Sequence, residues 1–175
     1  MVTSIAVAPN AIYVADFTSK RIAFFDRAGH PTGFLAGAGR FDVPSPYFPV
    51  SISADGQVWV ANPGEHRVEG YRNGALTAKW GSAGAAIEKF CGCCNPGYLA
   101  PCPLPTGGQG WLTSEKGTPR VKVYDRTGRL IGVVAGPEQF EPGSRGLAVA
   151  AAATGRVFVL DPRRAAVRVF DLKGA

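Results

Sequence analysis

Three features of the 175-residue sequence predict an all-β fold assembled from a repeated four-stranded unit. One phrase recurs four times: an apolar strand, an acidic or amide residue, a basic loop, a second strand and a polar turn containing glycine. Its internal spacing is constant, since Asp16, Asn62, Glu115 and Asp161 are each followed ten residues later by Asp26, Arg72, Asp125 and Asp171. The first set of anchors advances by 46, 53 and 46 residues (16 to 62, 62 to 115, 115 to 161), close to the roughly 40–50 residue period of radially stacked sheet repeats. The 23 glycines and 14 prolines fit a loop-rich β chain, and no segment carries a convincing helical period.

Each copy reads as a meander of short strands. The innermost are expected at 5–8, 52–53, 98–100 and 147–150, followed by second strands at 12–15, 58–61, 110–113 and 157–160. Runs such as Val58, Trp59, Val60 and Val157, Phe158, Val159 are apolar on both faces, as strands sandwiched between neighbouring sheets must be. The third strands, at 21–25, 67–71, 120–124 and 166–170, alternate instead. Ile22, Val121 and Val167 point one way, while Glu69, Lys122 and Arg168 occupy the opposite face and are expected nearer solvent. Outer strands are expected at 33–36, 76–80 and 130–135. The hairpins before them (Asp26 to Gly29, Arg72 to Gly74, Asp125 to Gly128) carry the Gly or Asn that tight turns need. After Asp171 to Gly174 the sequence ends without a fourth outer strand.

The segments SIAVAPNAIYVADFTSKRIAFFDRAGH and GLAVAAAATGRVFVLDPRRAAVRVFDLKG resemble the NHL-repeat β-propeller family, and the resemblance runs over nearly the whole sequence. It implies one domain over 1–175, with blades near 3–48, 49–96, 97–145 and 146–175. Members of that family are commonly six-bladed rings. The sequence therefore reads as three complete blades and a three-stranded fourth, an open or truncated arc of such a ring that is expected to self-associate through its bare ends.

The most distinctive local feature is FCGCCNP at Phe90 to Pro96. Cys91, Cys93 and Cys94 fall within four residues, and Cys102 completes a set in which every cysteine of the chain lies within twelve residues. Strand direction puts this connector on the same face as the loop Asn62 to His66 and the loop Glu115 to Pro119. His66, Glu115 and Lys116 are thus the binding-face candidates. Cys102 belongs at the far end of its strand, since four residues advance the chain about 13 Å.

Three chemistries fit the thiols. Cys91, Cys93 and Cys94, with His66 or Cys102 as a fourth ligand, would suit zinc or an iron–sulfur cluster, although zinc sites usually space their cysteines as paired CxxC motifs. A disulfide from Cys91 or Cys93 to Cys102 would staple the 101–110 insertion. A reactive thiol with its pKa lowered by Lys116 is the third. Glu115 also occupies the acidic position shared with Asp16 and Asp161, which accounts for it without a ligand.

The net charge of +6 (19 basic minus 13 acidic) and the basic loops holding Lys20, Arg67, Lys116 and Arg163 admit RNA. Arg21, Arg67 and Arg120, however, recur five residues after Asp16, Asn62 and Glu115, which points to a structural pair in each blade. Six-bladed relatives of the resembled family include lactonases with metal-binding acids around a central channel, and the innermost strands here supply no such set. No nucleophile motif or phosphate-binding loop is present. The expected role is a binding or interaction scaffold for a protein or small-molecule ligand. The alternative is a metal or iron–sulfur redox propeller. No stretch has the roughly 18–20 apolar residues of a membrane span, and Met1 to Pro9 enters the repeat without signal-peptide features, leaving localisation open.

Overall fold

A computed structural model describes residues 1–172. The innermost strands are β1 (Val2–Val7), β5 (Val50–Ile52), β9 (Tyr98–Pro103) and β13 (Val149–Ala151). Second strands follow as β2 (Ile12–Asp16), β6 (Val58–Asn62), β10 (Gln109–Glu115) and β14 (Arg156–Asp161), and third strands as β3 (Arg21–Phe25), β7 (Arg67–Arg72), β11 (Arg120–Tyr124) and β15 (Ala166–Asp171). Outer strands are β4 (Pro31–Leu35), β8 (Ala75–Trp80) and β12 (Leu130–Ala135). They form four separate antiparallel sheets, each in simple sequence order, with four, four, four and three strands among the described residues. These sheets are the blades of a β-propeller. The end of the last expected turn, at 173–174, lies outside the described residues.

Turn chemistry sets the hairpins. Asp26 Oδ1 accepts from the amides of Ala28 and His30, and Asp125 Oδ1 accepts from those of Thr127 and Arg129, so blades one and three share one Asp-capped turn. Blade two uses the shorter Asn73-Gly74 turn, with φ of 51° and 78°, which suits a two-residue hairpin between Arg72 and Ala75.

The core is divided among the three blade interfaces. Ala15, Ile22 and Leu35 of blade one meet Val50, Val58 and Val60 of blade two. Between blades two and three the contact is aromatic: Trp59, Val68 and Trp80 face Phe90, Trp111 and Tyr124, with the Trp59 and Trp111 rings 5.0 Å apart. Val121, Val123 and Ala135 of blade three meet Leu147, Val157 and Val159 of blade four. Each sheet thus turns a forward face to the next blade and a rear face to the one before.

Burial corrects one expectation. The polar positions of the third strands do not face solvent in the inner blades, for Glu69 is 1% exposed and Lys122 0%. They lie on the rear face, where the preceding blade covers them, and each has acquired a partner. Glu69 accepts from Arg67 Nε at 2.5 Å, from Asn62 Nδ2 at 3.0 Å and from the Tyr71 hydroxyl. Lys122 pairs with Glu115 at 2.7 Å. The expected Arg pairing five residues after the anchor occurs only in blade three, Arg120 to Glu115 at 2.7 Å, because Arg67 turns to Glu69 and Arg21 stacks over Phe34.

Trp111 is wholly buried at the aromatic interface. Replacing it with Ala is expected to cost about 3–5 kcal/mol in denaturant unfolding, the range for large core truncations, while a Trp at a solvent-facing position would cost far less.

Candidate functional site

Hydrogen bonds between loops define one face of the arc. Connectors running from an outer strand to the next innermost strand meet the loops after second strands. The Asn62 side chain accepts from the Asp42 amide at 2.9 Å, Lys116 Nζ donates to Ser45 Oγ at 2.7 Å, and Arg164 donates to Glu141 at 3.2 Å. The remaining hairpins gather on the opposite face, where Asp55 binds both Arg72 and Arg126.

The cysteine loop lies in the connector between β8 and β9, and it is pinned from three sides. The Cys91 amide donates to Glu115 Oε2 at 2.8 Å. His66 Nε2 lies 2.6 Å from the Gly92 carbonyl, to which it donates. Asn95, fully buried, donates through Nδ2 to the carbonyls of Cys91 (2.6 Å) and Lys116 (3.1 Å) and accepts from the Lys116 amide at 3.0 Å. Gly92 takes φ of 76° and Cys94 φ of 64°, and these left-handed residues let the chain reverse within four positions. His66, itself at φ 53° after the turn Pro63–Glu65, is aimed at the loop by that backbone geometry. The structure thus brings His66, Glu115 and Lys116 against the cysteine connector. Asn95 was not among the candidates, and the only sequence signal for it is the Asn-Pro pair that closes the motif.

The four thiols have separate fates, and none forms a disulfide. Cys93 is exposed, Cys91 is half-buried and Cys94 is buried. Burial pushes the Cys94 thiol pKa up and contact with Cys93 adds to this, against the opposing effects of Ser45 and the Lys116 ammonium. Lys116 therefore does not activate Cys94. Its ammonium is directed to Ser45 and sits 4.7 Å over the Tyr47 ring. Cys102 stands opposite Gly110 on β9, with its side chain in the core between blades three and four, and burial lifts its pKa to about 12. That placement removes the expected staple from Cys91 or Cys93 to Cys102, because the insertion does not fold back.

Among the described residues, no three His, Cys, Asp or Glu side chains converge as a cation would require. One thiol in solvent, one half-covered and one buried beside a serine do not fit a tetrahedral zinc site or an iron–sulfur cluster as arranged.

Glu115 is a latch rather than an open group. Its carboxylate is buried and receives Arg120, Lys122 and the Cys91 amide. Lys122 carries the same connector further along, donating to the carbonyls of Ile87 (2.9 Å) and Lys89 (2.8 Å), while the Tyr124 hydroxyl donates to Glu88 at 3.1 Å. Burial lowers the Lys122 pKa and Glu115 opposes that shift, which keeps the ammonium paired in the interior.

A cleft between the innermost strands is lined by Ser4, Ala6, Ser51, Tyr98, Ala100 and Val149, among others. Its lining includes no carboxylate and no imidazole.

No protein-family model matches the chain, and no curated protein matches it in sequence. Solved structures do match. A Bacteroides caccae protein of unknown function aligns with 99% of the chain at TM-score 0.63 and 17% identity. A streptogramin B lyase aligns with 99% at TM-score 0.63 and 12% identity. The β-propeller domain of Myceliophteria thermophila Cps50 (Swd1) aligns with 98% at TM-score 0.60 and 11% identity. The fold is a β-propeller. The chain spans 57%, 55% and 51% of those three structures, a little over half of each, and at these identities the likeness is one of fold.

Glu115→Ala would leave Lys122 and Arg120 buried without a counter-charge, and a loss of about 3–5 kcal/mol is expected by denaturant unfolding. A loss below about 1 kcal/mol would show that the latch is not needed. Alkylation followed by mass spectrometry should modify Cys93 first and leave Cys102 untouched at pH 9. Its folded-state pKa of about 12 lies above the ordinary 9.0, so the protonated thiol favours the fold fully below pH 9 and that contribution is lost as the pH climbs toward 12.

Proposed function

We propose that the chain is an NHL-type propeller segment that acts as a binding scaffold, with a protein or peptide partner recognised on the connector face around the cysteine loop. One observation carries this reading: a loop whose Cys93 is exposed is fixed by hydrogen bonds donated by His66 and Asn95 and one accepted by Glu115, residues of two different blades and the connector itself. Rigid support beneath an exposed, irregular loop suits recognition, because little conformational freedom is lost when a partner docks. Ser45 and Tyr47 from the preceding connector extend the same surface toward Lys116. Repeat propellers present loops from several blades on one face, and the arrangement here follows that plan.

RNA recognition draws less support from these residues. On the connector face Arg67, Arg120 and Arg164 are engaged with carboxylates and Lys116 with Ser45, which removes these four from a basic stripe and leaves Lys20 and Arg163 exposed at separate blades.

Peptide phage display against the immobilised protein tests the reading. Enriched peptides are expected to slow alkylation of Cys93 and to lose at least tenfold in affinity for Lys116→Ala. Peptides that bind equally well to Lys116→Ala and leave Cys93 reactive would place recognition elsewhere. Zinc or iron at one equivalent per chain in the purified protein would favour the metal reading, and RNA capture with a steep salt dependence would favour nucleic acid.

A further inference from the structure

The three connectors that cross from blade to blade follow one pattern, and two of them serve as controls on the cysteine loop. Phe41, Phe90 and Phe140 are buried at corresponding places, and the amide after the first two is anchored to the end of a second strand, Asp42 to Asn62 and Cys91 to Glu115. Four residues past each phenylalanine stand Ser45, Cys94 and Ser144. Ser144 is buried like Cys94, so the position takes a small side chain and a hydroxyl fills it in the connector to blade four. One step earlier stand Pro44, Cys93 and Gly143, all exposed. Neither thiol is therefore required by the packing of the repeat.

What the two thiols add is a pair of neighbouring sulfurs, one open to solvent and one beneath it. The Cys94 thiol touches Cys93 and Ser45. Left-handed backbone at Gly92 and Cys94, with φ of 76° and 64°, turns the chain tightly around the pair, and Asn95 ties the turn to Cys91 and Lys116. Cys91 stands apart, half-buried with its amide drawn to Glu115, and no third ligating group joins the pair among the described residues. Cys102 lies in the core between blades three and four. The loop thus presents one adjacent dithiol with a single accessible member.

We propose that Cys93 and Cys94 form a reversible redox site whose substrate is a low-molecular-weight aliphatic disulfide, RSSR. Exposed Cys93 gives its proton to solvent and attacks one sulfur of RSSR as the thiolate, so that a Cys93–S–S–R bond forms, the RS–SR bond breaks, and the departing RS⁻ takes up a proton. The Cys94 thiol then loses its proton and attacks the Cys93 sulfur, closing the Cys93–Cys94 bond and expelling a second RS⁻, which is protonated in turn. Two protein thiols are oxidised and one RSSR is reduced to two RSH. Burial holds the Cys94 thiol protonated beyond its usual range, so closure is the slower step and quickens as the pH rises. Adjacent Cα atoms lie about 3.8 Å apart across a trans peptide, short of the roughly 4.4–6.8 Å span of relaxed disulfides, so the bond is strained and excess RSH reopens it. This chemistry is independent of what the connector face recognises.

Oxidised glutathione added to the unmodified chain is expected to give, by intact mass, a transient single adduct and then a product lighter than the starting protein by two hydrogens, which excess reduced glutathione reverts. Cys94→Ser, the residue that the fold accepts at the same place in the other connectors, should stop at the adduct. Cys93→Ser should take up glutathione roughly tenfold more slowly, and Cys91→Ser should close as the unmodified chain does. Phenylarsine oxide, which bridges two neighbouring thiols without oxidising them, supplies a second measurement. One arsenical per chain is expected, lost in Cys93→Ser and in Cys94→Ser. An adduct that persists on the unmodified chain, closure that requires Cys91, or arsenical binding that survives both serine variants would overturn the proposal.

Discussion

No blade in this chain can bury a face without a neighbour stacked on it, and that constraint governs everything else in the molecule. A single short sheet of three or four strands has too little area to form an interior, so its stability comes from the neighbours stacked on it. The three interfaces divide the work differently. Blades one and two meet through aliphatics with Phe41, Phe48 and Tyr71, blades two and three through three tryptophans with Phe90 and Tyr124, and blades three and four through valines with Leu112, Leu147 and Phe140. Burial of roughly 25 cal/mol per Å² of apolar surface favours each of these contacts, and the loss of any one exposes two sheet faces at once.

Apolar stacking does not specify how the connectors run over the edge of the interface, and polar groups do that. In blades two and three the residue that ends the second strand reaches back to the connector arriving from the preceding blade: Asn62 takes the Asp42 amide, and Glu115 takes the Cys91 amide, whereas Asp161 of blade four lies beside Arg168 at 3.6 Å. In blade one the N-terminal ammonium fills the same place, 2.7 Å from Asp16, and together with Ser19 and Thr18 it holds that carboxyl below the usual carboxylate range. One repeated position therefore anchors the chain in blades one to three, twice through a backbone amide and once through an ammonium. Its recurrence in the sequence reflects connector anchoring rather than a shared ligand.

The repeat made the architecture legible because the anchors, the doubly apolar second strands and the turn glycines all answer to local rules. Residue-level environment was less legible. Alternation in the third strands suggested a solvated face for Glu69 and Lys122, but period-two patterns report only that two faces differ, and here a second blade covers the polar one. The cysteine loop was correctly placed by strand direction alone. Its internal geometry was not, since nothing in CGCCNP distinguishes an exposed thiol from one buried beside Ser45, and the residue that organises the turn, Asn95, has no titratable group to attract notice.

The loop sits where the repeat departs most from its period, and this departure explains why it stands clear of the packed blades. Fourteen residues join β4 to β5 and thirteen join β12 to β13, whereas seventeen join β8 to β9. The additional length does not enter the aromatic interface. Phe90 is the last residue that does, and from Cys91 onward the chain lies over the latch formed by Glu115, Lys122 and Arg120. A substitution at Cys93 thus acts on a surface whose foundation is elsewhere. A change of side chain at exposed Cys93 alters what is displayed while leaving the packed blades intact, which is the property that lets one scaffold carry different recognition surfaces.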